Sequence, residues 1–460
     1  MPNTRLTKQQ VTATDRKKFT FSFWFKRGMD AGETEFIYES VNDSSNRFYI
    51  NLLEPSDTLE IINKNSGSNV LLLRTTRAFR DVSAWYHLVL AVDTDQSTAA
   101  DRNKLYINGE RITSFSTETN FSSGVTGAIG TSSFYHTIGG YSGGGAYYAG
   151  SMSFFALVDG TQEVPTIFGE TDSTTGQWKI KANITPSSGW GDNGFLILKN
   201  GNSLTDESTN SNNFALATGT LTDTKDCPDN NFATLNPLDV SLPSTFTLKY
   251  GNLENLTLTD TTVGGNHTYG RAFSTLQVAS GKFYAEMKWV NTGSAGMVAV
   301  TSRSGVITSQ YAYLGKQNED WRYYHDGTKM NNNSSSSYGD SQANGDIVGV
   351  ALDLDNLKIY FSKNGTWQNS GNPESGATGT GAAFTLTAPN LTSNGAYKFG
   401  IGTQGGQNVK GTWNFGNGYF GTSAITTNSG NGYAGAEGAS KFNYQPPSGY
   451  SALNTKGLNL

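Results

Sequence analysis

The sequence predicts an all-β protein in which two antiparallel β-sandwiches are joined by an irregular module. Short segments of alternating apolar and polar residues, each closed by a polar or glycine-containing break, are typical of sandwich strands. The composition agrees, because 54 Gly, 22 Tyr and 25 Phe supply turn formers and the aromatic residues that suit pleated sheets. At 460 residues the chain is also too long for a single hydrophobic core.

These segments divide the chain into five predicted parts. They are an N-terminal arm, a first sandwich, a looser connecting module, a second sandwich and an extended C-terminal tail, at 1–16, 17–160, 161–245, 246–422 and 423–460. We expect the arm to be flexible or docked on a neighbour. In the tail, Pro446 and Pro447 exclude a central strand or a helix interior.

The first strand series opens with FTFSFWFK, which places the four phenylalanines of Phe19–Phe25 on one face of a strand. Further along, KLYINGERI predicts a hairpin. Its Asn108-Gly109 turn is expected to be of type I′, with Leu105 facing Ile112 across the ladder. Short strands at this spacing favour a sandwich or barrel.

The second series contains a hairpin, Gly349–Gly365, whose two carboxylates allow two interpretations. Asp353 and Asp355 stand two residues apart, which is one way for an enzyme to present paired carboxylates. A turn at Asp355 instead pairs apolar residues on one face and places Asp353 opposite Lys358. Asp355 then lies in the turn, where its side chain can bond nearby backbone. We favour this register, because it explains both carboxylates without catalysis.

Charge and motifs argue against several functions. The net charge of -5 comes without a basic block, so no nucleic-acid partner is expected. No apolar run approaches about 18 residues and the first residues lack an apolar signal core, so neither membrane insertion nor a secretory signal is expected. The 4 histidines are scattered and the single cysteine is Cys227, so the chain shows no catalytic or zinc motif. We therefore predict a non-enzymatic protein without a cofactor.

Calcium is the one metal for which the sequence offers an alternative. Asp93 and Asp95 end a strand and enter a polar loop. Ordinary turn chemistry explains them, whereas carboxylate oxygens are also the ligands that Ca²⁺ takes. Their spacing does not match an EF-hand loop.

Two aromatic segments are the candidate binding surfaces. YAYLGKQNEDWRYYHDG and YSGGGAYY surround or interleave flat rings with polar residues. Such a ring can stack on a pyranose while polar neighbours bond the sugar hydroxyls. The alternative is that some rings belong to the core or face an adjacent subunit. The candidate residues for binding a glycan or a protein partner are Tyr311, Tyr313, Asp320, Trp321, Tyr323, Tyr324, Tyr141, Tyr147 and Tyr148.

Two resemblances to known domains are carried by specific motifs. FTFSFWFK, then WYHLVLAVD followed by KLYINGE, and GSMSFFALVDG resemble the laminin-G/pentraxin branch of the concanavalin A-like jelly rolls over 17–160. SGKFYAEMKW, GDIVGVALDLDNLKIYFSKNG and WNFGNGYF look like a SPRY domain over 246–422. The SPRY resemblance implies a bent β-sandwich that binds partners through loops at one end and is not catalytic.

Nearly the whole chain resembles virion proteins of marine bacteriophages, of the tail fibre or structural kind. FGETDSTTGQW, CPDNNFATLNPL and PPSGYSALNTKGL carry this resemblance. It implies a structural protein of the phage particle surface, on the tail or the capsid. Because the sequence has no heptads and no shaft repeats, we expect a compact tail appendage or capsid decoration subunit rather than an elongated fibre.

The expected partners are other virion proteins and host cell-surface polysaccharide, bound through exposed loops during host attachment. We also expect a homo-oligomer. The alternative function is a host-polysaccharide depolymerase, which predicts a groove with two carboxyl groups about 5 to 10 Å apart. A third possibility, a purely architectural capsid or tail protein, predicts that the aromatic loops are buried between subunits.

Overall fold

The computed structural model describes the chain at residues 3–28, 34–241, 246–250, 256–260, 271–304, 313–404, 409–421, 423–426 and 432–459, with the backbone alone at 237–241, 246–250 and 256–260. The chain forms two compact units, Met1–Asp223 and Thr224–Leu460. Strands are the main regular elements of both units, and only short 3₁₀ turns stand beside them among the described residues, which confirms the predicted all-β class. None of the described helices is long and apolar enough to cross a membrane.

The first unit contains an eight-stranded sheet, a six-stranded sheet and a small hairpin. Its strands are β1 (Arg5–Gln9), β2 (Lys18–Arg27), β3 (Glu35–Asp43), β4 (Asn46–Leu53), β5 (Thr58–Asn65), β6 (Ser68–Ala78), β7 (Trp85–Asp93), β8 (Asn103–Ile107), β9 (Glu110–Arg111), β10 (Phe115–Thr119), β11 (Tyr135–Ile138), β12 (Gly150–Asp159), β13 (Gly169–Thr171), β14 (Trp178–Ile180), β15 (Phe195–Ile197) and β16 (Ala215–Thr218). The large sheets have the orders β10-β6-β5-β4-β3-β11-β1-β16 and β15-β12-β2-β7-β8-β9, and β13 pairs with β14. Short 3₁₀ turns lie at Ala99–Asp101 and Pro165–Ile167.

The core of the first unit is formed by apolar residues from both large sheets. The four phenylalanines of Phe19–Phe25 are buried in it, as the alternation of β2 predicted. The opposite face of β2 carries Trp24, which packs with Trp85 and Ile180. Strand β2 is therefore covered on both faces.

The predicted hairpin forms between β8 and β9. Asn108 and Gly109 have φ angles of 52° and 80°, the positive values that a type I′ turn requires. The backbone N–H of Ile112 donates to the carbonyl oxygen of Leu105 at 2.8 Å. The predicted register is confirmed.

The bounds of the first unit differ from the predicted domain bounds. Residues Arg5–Gln9, placed in an arm over 1–16, form β1 inside the eight-stranded sheet. Phe195–Ile197 and Ala215–Thr218, placed in the connecting module, each add a strand to a large sheet. These strands are too short to show a periodic pattern, and their hydrogen bonds go to strands distant in the sequence.

The second unit contains two large sheets and two separate hairpins. Its strands are β17 (Leu235–Ser241), β18 (Phe246–Tyr250), β19 (Leu256–Asp260), β20 (Arg271–Ser274), β21 (Lys282–Asn291), β22 (Met297–Thr301), β23 (Asp320–Tyr324), β24 (Thr328–Asn331), β25 (Ser334–Ser337), β26 (Ile347–Asp353), β27 (Lys358–Lys363), β28 (Thr366–Trp367), β29 (Phe384–Thr385), β30 (Lys398–Gly402), β31 (Lys410–Asn414), β32 (Tyr419–Phe420), β33 (Ser423–Ala424) and β34 (Ser451–Ala452). One sheet has the order β17-β20-β30-β22-β23-β24-β25; the other has the order β28-β27-β26-β21-β31, with β29 beside β27 and β34 beside β21. β18 pairs with β19 and β32 with β33, and 3₁₀ turns lie at Gln368–Ser370, Gly376–Thr378, Pro389–Leu391 and Gly457–Asn459.

The core of the second unit contains the predicted hairpin of β26 and β27. Val350 lies opposite Phe361 and Leu352 lies opposite Ile359, all buried in one apolar cluster. This is the predicted register.

The C-terminal segment, 432–459, packs on the second unit. It has irregular backbone around Pro446 and Pro447, as the two prolines predicted. It differs from the expected extended tail because Phe442 and Tyr450 are buried against Tyr284 and its neighbours. Strand β34 pairs in parallel with the start of β21.

Candidate functional site

The hairpin carboxylate that raised the question of catalysis is an internal structural group. Asp353 is buried, and its two oxygens accept the backbone N–H and the side-chain amide of Asn356 at 2.9 and 2.8 Å. Its ion-pair partner is Lys282, 3.4 Å away on β21. The predicted cross-strand partner, Lys358, instead donates to the Thr385 hydroxyl at 2.7 Å. The sequence pattern could not show this partner, because Lys282 lies on a distant strand that also pairs with β26.

Two further carboxylates of the second unit are also engaged. Asp355 accepts the backbone N–H of Gly281 at 2.8 Å. Glu286 is fully buried, and it accepts the backbone N–H groups of Asn443 and Tyr444 at 2.8 and 2.7 Å. Burial raises the pKa of Glu286 to about 7. Its oxygens face protein donors rather than a groove.

Two buried histidines lack the geometry of a catalytic base. Burial lowers the pKa of both His87 and His136 to about 3, so both rings are neutral. In His87, Nδ1 accepts the indole N–H of Trp178 at 2.9 Å, so Nε2 carries the proton. That Nε2 lies 2.8 Å from the Ser22 hydroxyl and donates to it, so it cannot take the hydroxyl proton.

The carboxylates considered for calcium are paired with lysines. Lys17 lies 3.1 Å from Asp95, and Lys18 lies 3.7 Å from both Asp93 and Asp95. In the part of the chain that the structure describes, no three His, Cys, Asp or Glu side chains form a metal-binding cluster.

The structure buries three of the candidate residues of the second unit. Trp321 and Tyr323 alternate into the core, where their rings lie 5.4 Å from Tyr397 and 5.3 Å from Phe361 respectively. A ring in the core cannot stack on a ligand, so these two candidates are corrected to core residues. Tyr311 lies outside the described residues.

Asp320 is the third buried candidate. It accepts a hydrogen bond from the Thr301 hydroxyl at 2.7 Å and pairs with Arg303 at 3.3 Å. Burial raises the pKa of Asp320, which these partners oppose. It is corrected to an internal ion-pair residue.

The opposite face of β23 brings the remaining candidates together around an arginine. The guanidinium carbon of Arg322 lies 4.9 Å from the ring centroid of Tyr313 and 4.6 Å from that of Tyr324. Both tyrosines are half-buried. We call these three side chains the Arg322 clamp.

In the first unit, Tyr148 is buried and its hydroxyl donates to the carbonyl oxygen of Lys26 at 2.8 Å. Its ring lies so close to Gly150 that a Cβ there would come within 2.0 Å of it. Tyr148 is therefore corrected from a binding candidate to a residue that fixes β12 against β2.

The other two candidates of the first unit lie on the outer face of the eight-stranded sheet. Phe36 is 5.4 Å from both Tyr49 and Tyr141, and Tyr147 forms a backbone bridge with Phe36. The guanidinium carbon of Arg47 lies 4.7 Å from the Tyr49 ring and 5.9 Å from the Tyr141 ring. We call these five residues the Tyr141 surface. Phe36, Tyr141 and Tyr147 are half-buried.

Polar contacts hold the Tyr141 surface in place. Arg5 donates to the carbonyl oxygen of Tyr141 at 2.7 Å, which fixes the loop to β1. Glu39 accepts the N–H of Ser142 at 3.0 Å and pairs with Arg47 at 3.3 Å. The rings are therefore rigidly placed before any ligand arrives.

Two family matches cover the two units. Residues 3–168 match the concanavalin A-like lectin/glucanases superfamily, and residues 282–389 match the SPRY domain. The chain contains a laminin-G domain and a SPRY domain. These matches confirm the two domain resemblances of the sequence. The curated proteins include no match.

Several solved structures are similar to parts of this chain. A human HERC1 SPRY domain shares 17% identity and covers 38% of this chain and 94% of its own, with a TM-score of 0.28. A second human SPRY domain shares 17% identity and covers 36% of this chain and 94% of its own, with a TM-score of 0.26. A heptameric SAP-like pentraxin from Limulus polyphemus shares 16% identity and covers 35% of this chain and 72% of its own, with a TM-score of 0.27.

Sequence reasoning missed the partners of the exposed tyrosines. In the laminin-G domain these are Phe36, Arg47 and Tyr49, which lie 92 to 105 positions before Tyr141 on neighbouring strands. In the SPRY domain the missed residue is Arg322. Its place between Trp321 and Tyr323 in an alternating strand is the signal that would have separated it from the core residues.

Proposed function

We propose that this protein is a non-enzymatic structural protein of a bacteriophage particle that binds host-surface glycan or a neighbouring virion protein. The observation that carries the proposal is the Tyr141 surface on the outer face of the laminin-G sheet. Rigid, half-buried rings provide flat apolar area and hydroxyl groups at the same place. The buried carboxylates and His87 described above are committed to structural contacts, which supports a binding role over a catalytic one.

Polar groups beside the rings support a saccharide ligand. Asn51 follows Tyr49 on the same face of β4 and lies opposite Glu60 on β5. Glu60 accepts two hydrogen bonds from Arg74, whose side chain is 42% exposed. Asn51 and Glu60 are buried, and Glu60 holds this exposed guanidinium in place. A guanidinium can bond sugar hydroxyls while a ring covers the apolar face of the sugar.

The place in the particle rests on the sequence resemblance to marine phage virion proteins. We propose a compact tail appendage, fibre component or capsid decoration, assembled as a homo-oligomer with other virion proteins. Host attachment is then the step in which the Tyr141 surface contacts polysaccharide.

A glycan array with the full chain, followed by a host-cell adsorption assay, tests the proposal. We expect Tyr141→Ala to weaken binding of the preferred host polysaccharide about tenfold or more, because it removes a stacking ring. Tyr135→Ala is the matched control, since Tyr135 is 46% exposed on β11 and does not belong to the Tyr141 surface. Failure of the unaltered chain to bind any host polysaccharide would refute the glycan role, and equal binding by the Tyr141 variant would refute the assigned surface.

A further inference from the structure

Arg322 is a buried cation on the outer face of the seven-stranded sheet of the SPRY domain. The residue is only 4% exposed. Its neighbours on this face include a small apolar cluster containing Met297 and Leu314. Two tyrosine rings flank the guanidinium group, as described for the Arg322 clamp. Cation–π contacts of this kind hold a guanidinium in place without neutralising its charge.

The Arg322 guanidinium forms no ion pair with a carboxylate among the described residues. Its Nη1 donates to two neutral acceptors, the Met297 sulfur at 3.3 Å and the Gln404 side-chain oxygen at 3.4 Å. Its Nε is buried and has no hydrogen-bond partner within the part of the chain that the structure describes. Asp320, two positions earlier on the same strand face, pairs with Arg303 instead.

The carboxylate of Asp326, four positions after Arg322, acts on the guanidinium through its charge, but it is exposed and forms no ion pair with Arg322 among the described residues. Residues 305–312 precede Tyr313 and residues 405–408 follow Gln404, and neither sequence contains Asp or Glu. A buried charge without an opposite charge in direct contact is costly to the folded state. A ligand with an anionic group would remove that cost.

The shape of the clamp restricts which anion fits. The two tyrosine rings cover the guanidinium group. A hydrogen-bond acceptor of a ligand must therefore approach the edge of the group, where its N–H groups point. Guanidinium N–H groups match the two oxygens of a carboxylate in parallel hydrogen bonds. Lys316, 5.6 Å from the Tyr313 ring centroid, adds a second positive charge.

We propose that the Arg322 clamp binds the carboxylate of an acidic saccharide, of the uronic acid type. The sugar ring stacks on Tyr313 or Tyr324, and the Asn333 amide, 3.4 Å from the Tyr313 hydroxyl, offers a partner for a sugar hydroxyl. An acidic peptide is less suited, because both walls of the clamp are flat rings. The inference rests on the proposed function and adds to it a second surface with a charged ligand.

Calorimetric titration of the full chain with three probes tests the ligand class. Oligogalacturonate carries sugar and carboxylate, its methyl ester carries the same sugar without charge, and polyglutamate carries carboxylate without sugar. We expect binding of oligogalacturonate alone. Equal binding of the methyl ester would overturn the role of the carboxylate, and tighter binding of polyglutamate would overturn the saccharide in favour of an acidic protein.

Variants test the site. Arg322→Lys keeps the charge but loses the parallel hydrogen bonds, so we expect oligogalacturonate affinity to fall about tenfold or more. Because Arg322 is buried, thermal unfolding is used to check that the variant folds. A second variant, Tyr313→Ala, removes one half-buried ring of the clamp. Lys363→Met removes one charge elsewhere in the SPRY domain and should leave affinity unchanged. Folded clamp variants that bind like the unaltered chain would overturn the proposal.

The binding experiments test the Tyr141 surface and the Arg322 clamp independently of each other. If Tyr141→Ala loses host polysaccharide while the clamp variants keep oligogalacturonate, the clamp inference is overturned and the proposed function stands. If the clamp variants lose oligogalacturonate while Tyr141→Ala changes nothing, the Arg322 clamp is supported and the Tyr141 surface is refuted.

Discussion

A single buried carboxyl group connects the C-terminal segment to the SPRY sandwich. Glu286 accepts the backbone N–H groups of Asn443 and Tyr444, the Asn414 amide at 3.3 Å and the Tyr284 hydroxyl at 3.2 Å. These donors favour the ionised form, but burial opposes it more strongly and raises the pKa to about 7. The native state therefore holds a proton here more tightly than the unfolded chain does.

Stability should fall as pH rises through this range. The carboxyl pKa is 4.5 in the unfolded chain and about 7 in the native state, so the contribution is fully present below pH 4.5 and is lost as pH rises to about 7. The loss is about 3 kcal/mol. Urea unfolding of the full chain and of Glu286→Gln at pH 5 and pH 8 measures it. We expect the substitution to reduce the pH dependence, and an unchanged dependence would contradict the argument.

The alternation of side chains along a strand showed which residues share a face, but it did not show which face packs into the core. In β23, Trp321 and Tyr323 point into the core, whereas Arg322 and Tyr324 point outward. Both faces of this strand carry large aromatic or amphipathic side chains, so the period alone does not decide between them. The four phenylalanines of Phe19–Phe25 gave the correct prediction because their strand has a uniformly apolar face.

Hairpins were predictable as elements because their two strands adjoin in sequence. The registers of β8 with β9 and of β26 with β27 follow from the turn and the apolar pattern. Interactions beyond the hairpin were not predictable in this way. Asp353 pairs with Lys282, 71 positions earlier, rather than with its hairpin neighbour Lys358.

The β8–β9 turn offers a test of such a distant contact. A Cβ at Gly109 would come within 2.6 Å of the Trp178 ring, and its φ is 80°. Gly124, with a φ of 74°, has no atom within 4 Å of its would-be Cβ. We expect Gly124→Ala to cost about 1 kcal/mol from backbone strain alone. Gly109→Ala should cost clearly more, because the indole must also move. If urea unfolding shows the same loss of unfolding free energy in both variants, Trp178 does not contact the turn.

At the scale of the whole molecule, the sequence predicted two sandwiches but not which distant segments complete them. Residues 161–223 belong to the laminin-G unit, and the C-terminal segment covers the SPRY unit. These segments have few apolar residues in a regular pattern. These segments form strands because they pair with sheet edges and pack on apolar faces that other parts of the chain provide. The sequence of the segment alone does not show those distant contacts.

Removal of the C-terminal segment should destabilise the SPRY unit. A chain that ends at Thr426 would expose the apolar cluster around Tyr284 and Tyr360 and remove two donors to Glu286, the backbone N–H groups of Asn443 and Tyr444. We expect a loss of several kcal/mol, measured by urea unfolding. A chain that ends at Gly457 is the control, because it lacks only exposed residues of the described segment. Similar stability of both chains would show that the segment is dispensable.

Strand β1 lies between β11 and β16, with Leu6 opposite both Ile138 and Leu216. Of the described strands of this unit, β1 is synthesised before the others and β16 after them. Until residue 218 has been synthesised, one side of β1 has no neighbour to pair with. The laminin-G unit consequently completes its largest sheet only near the end of its own synthesis, and a nascent chain halted before that point has an unpaired strand edge that another chain can pair with.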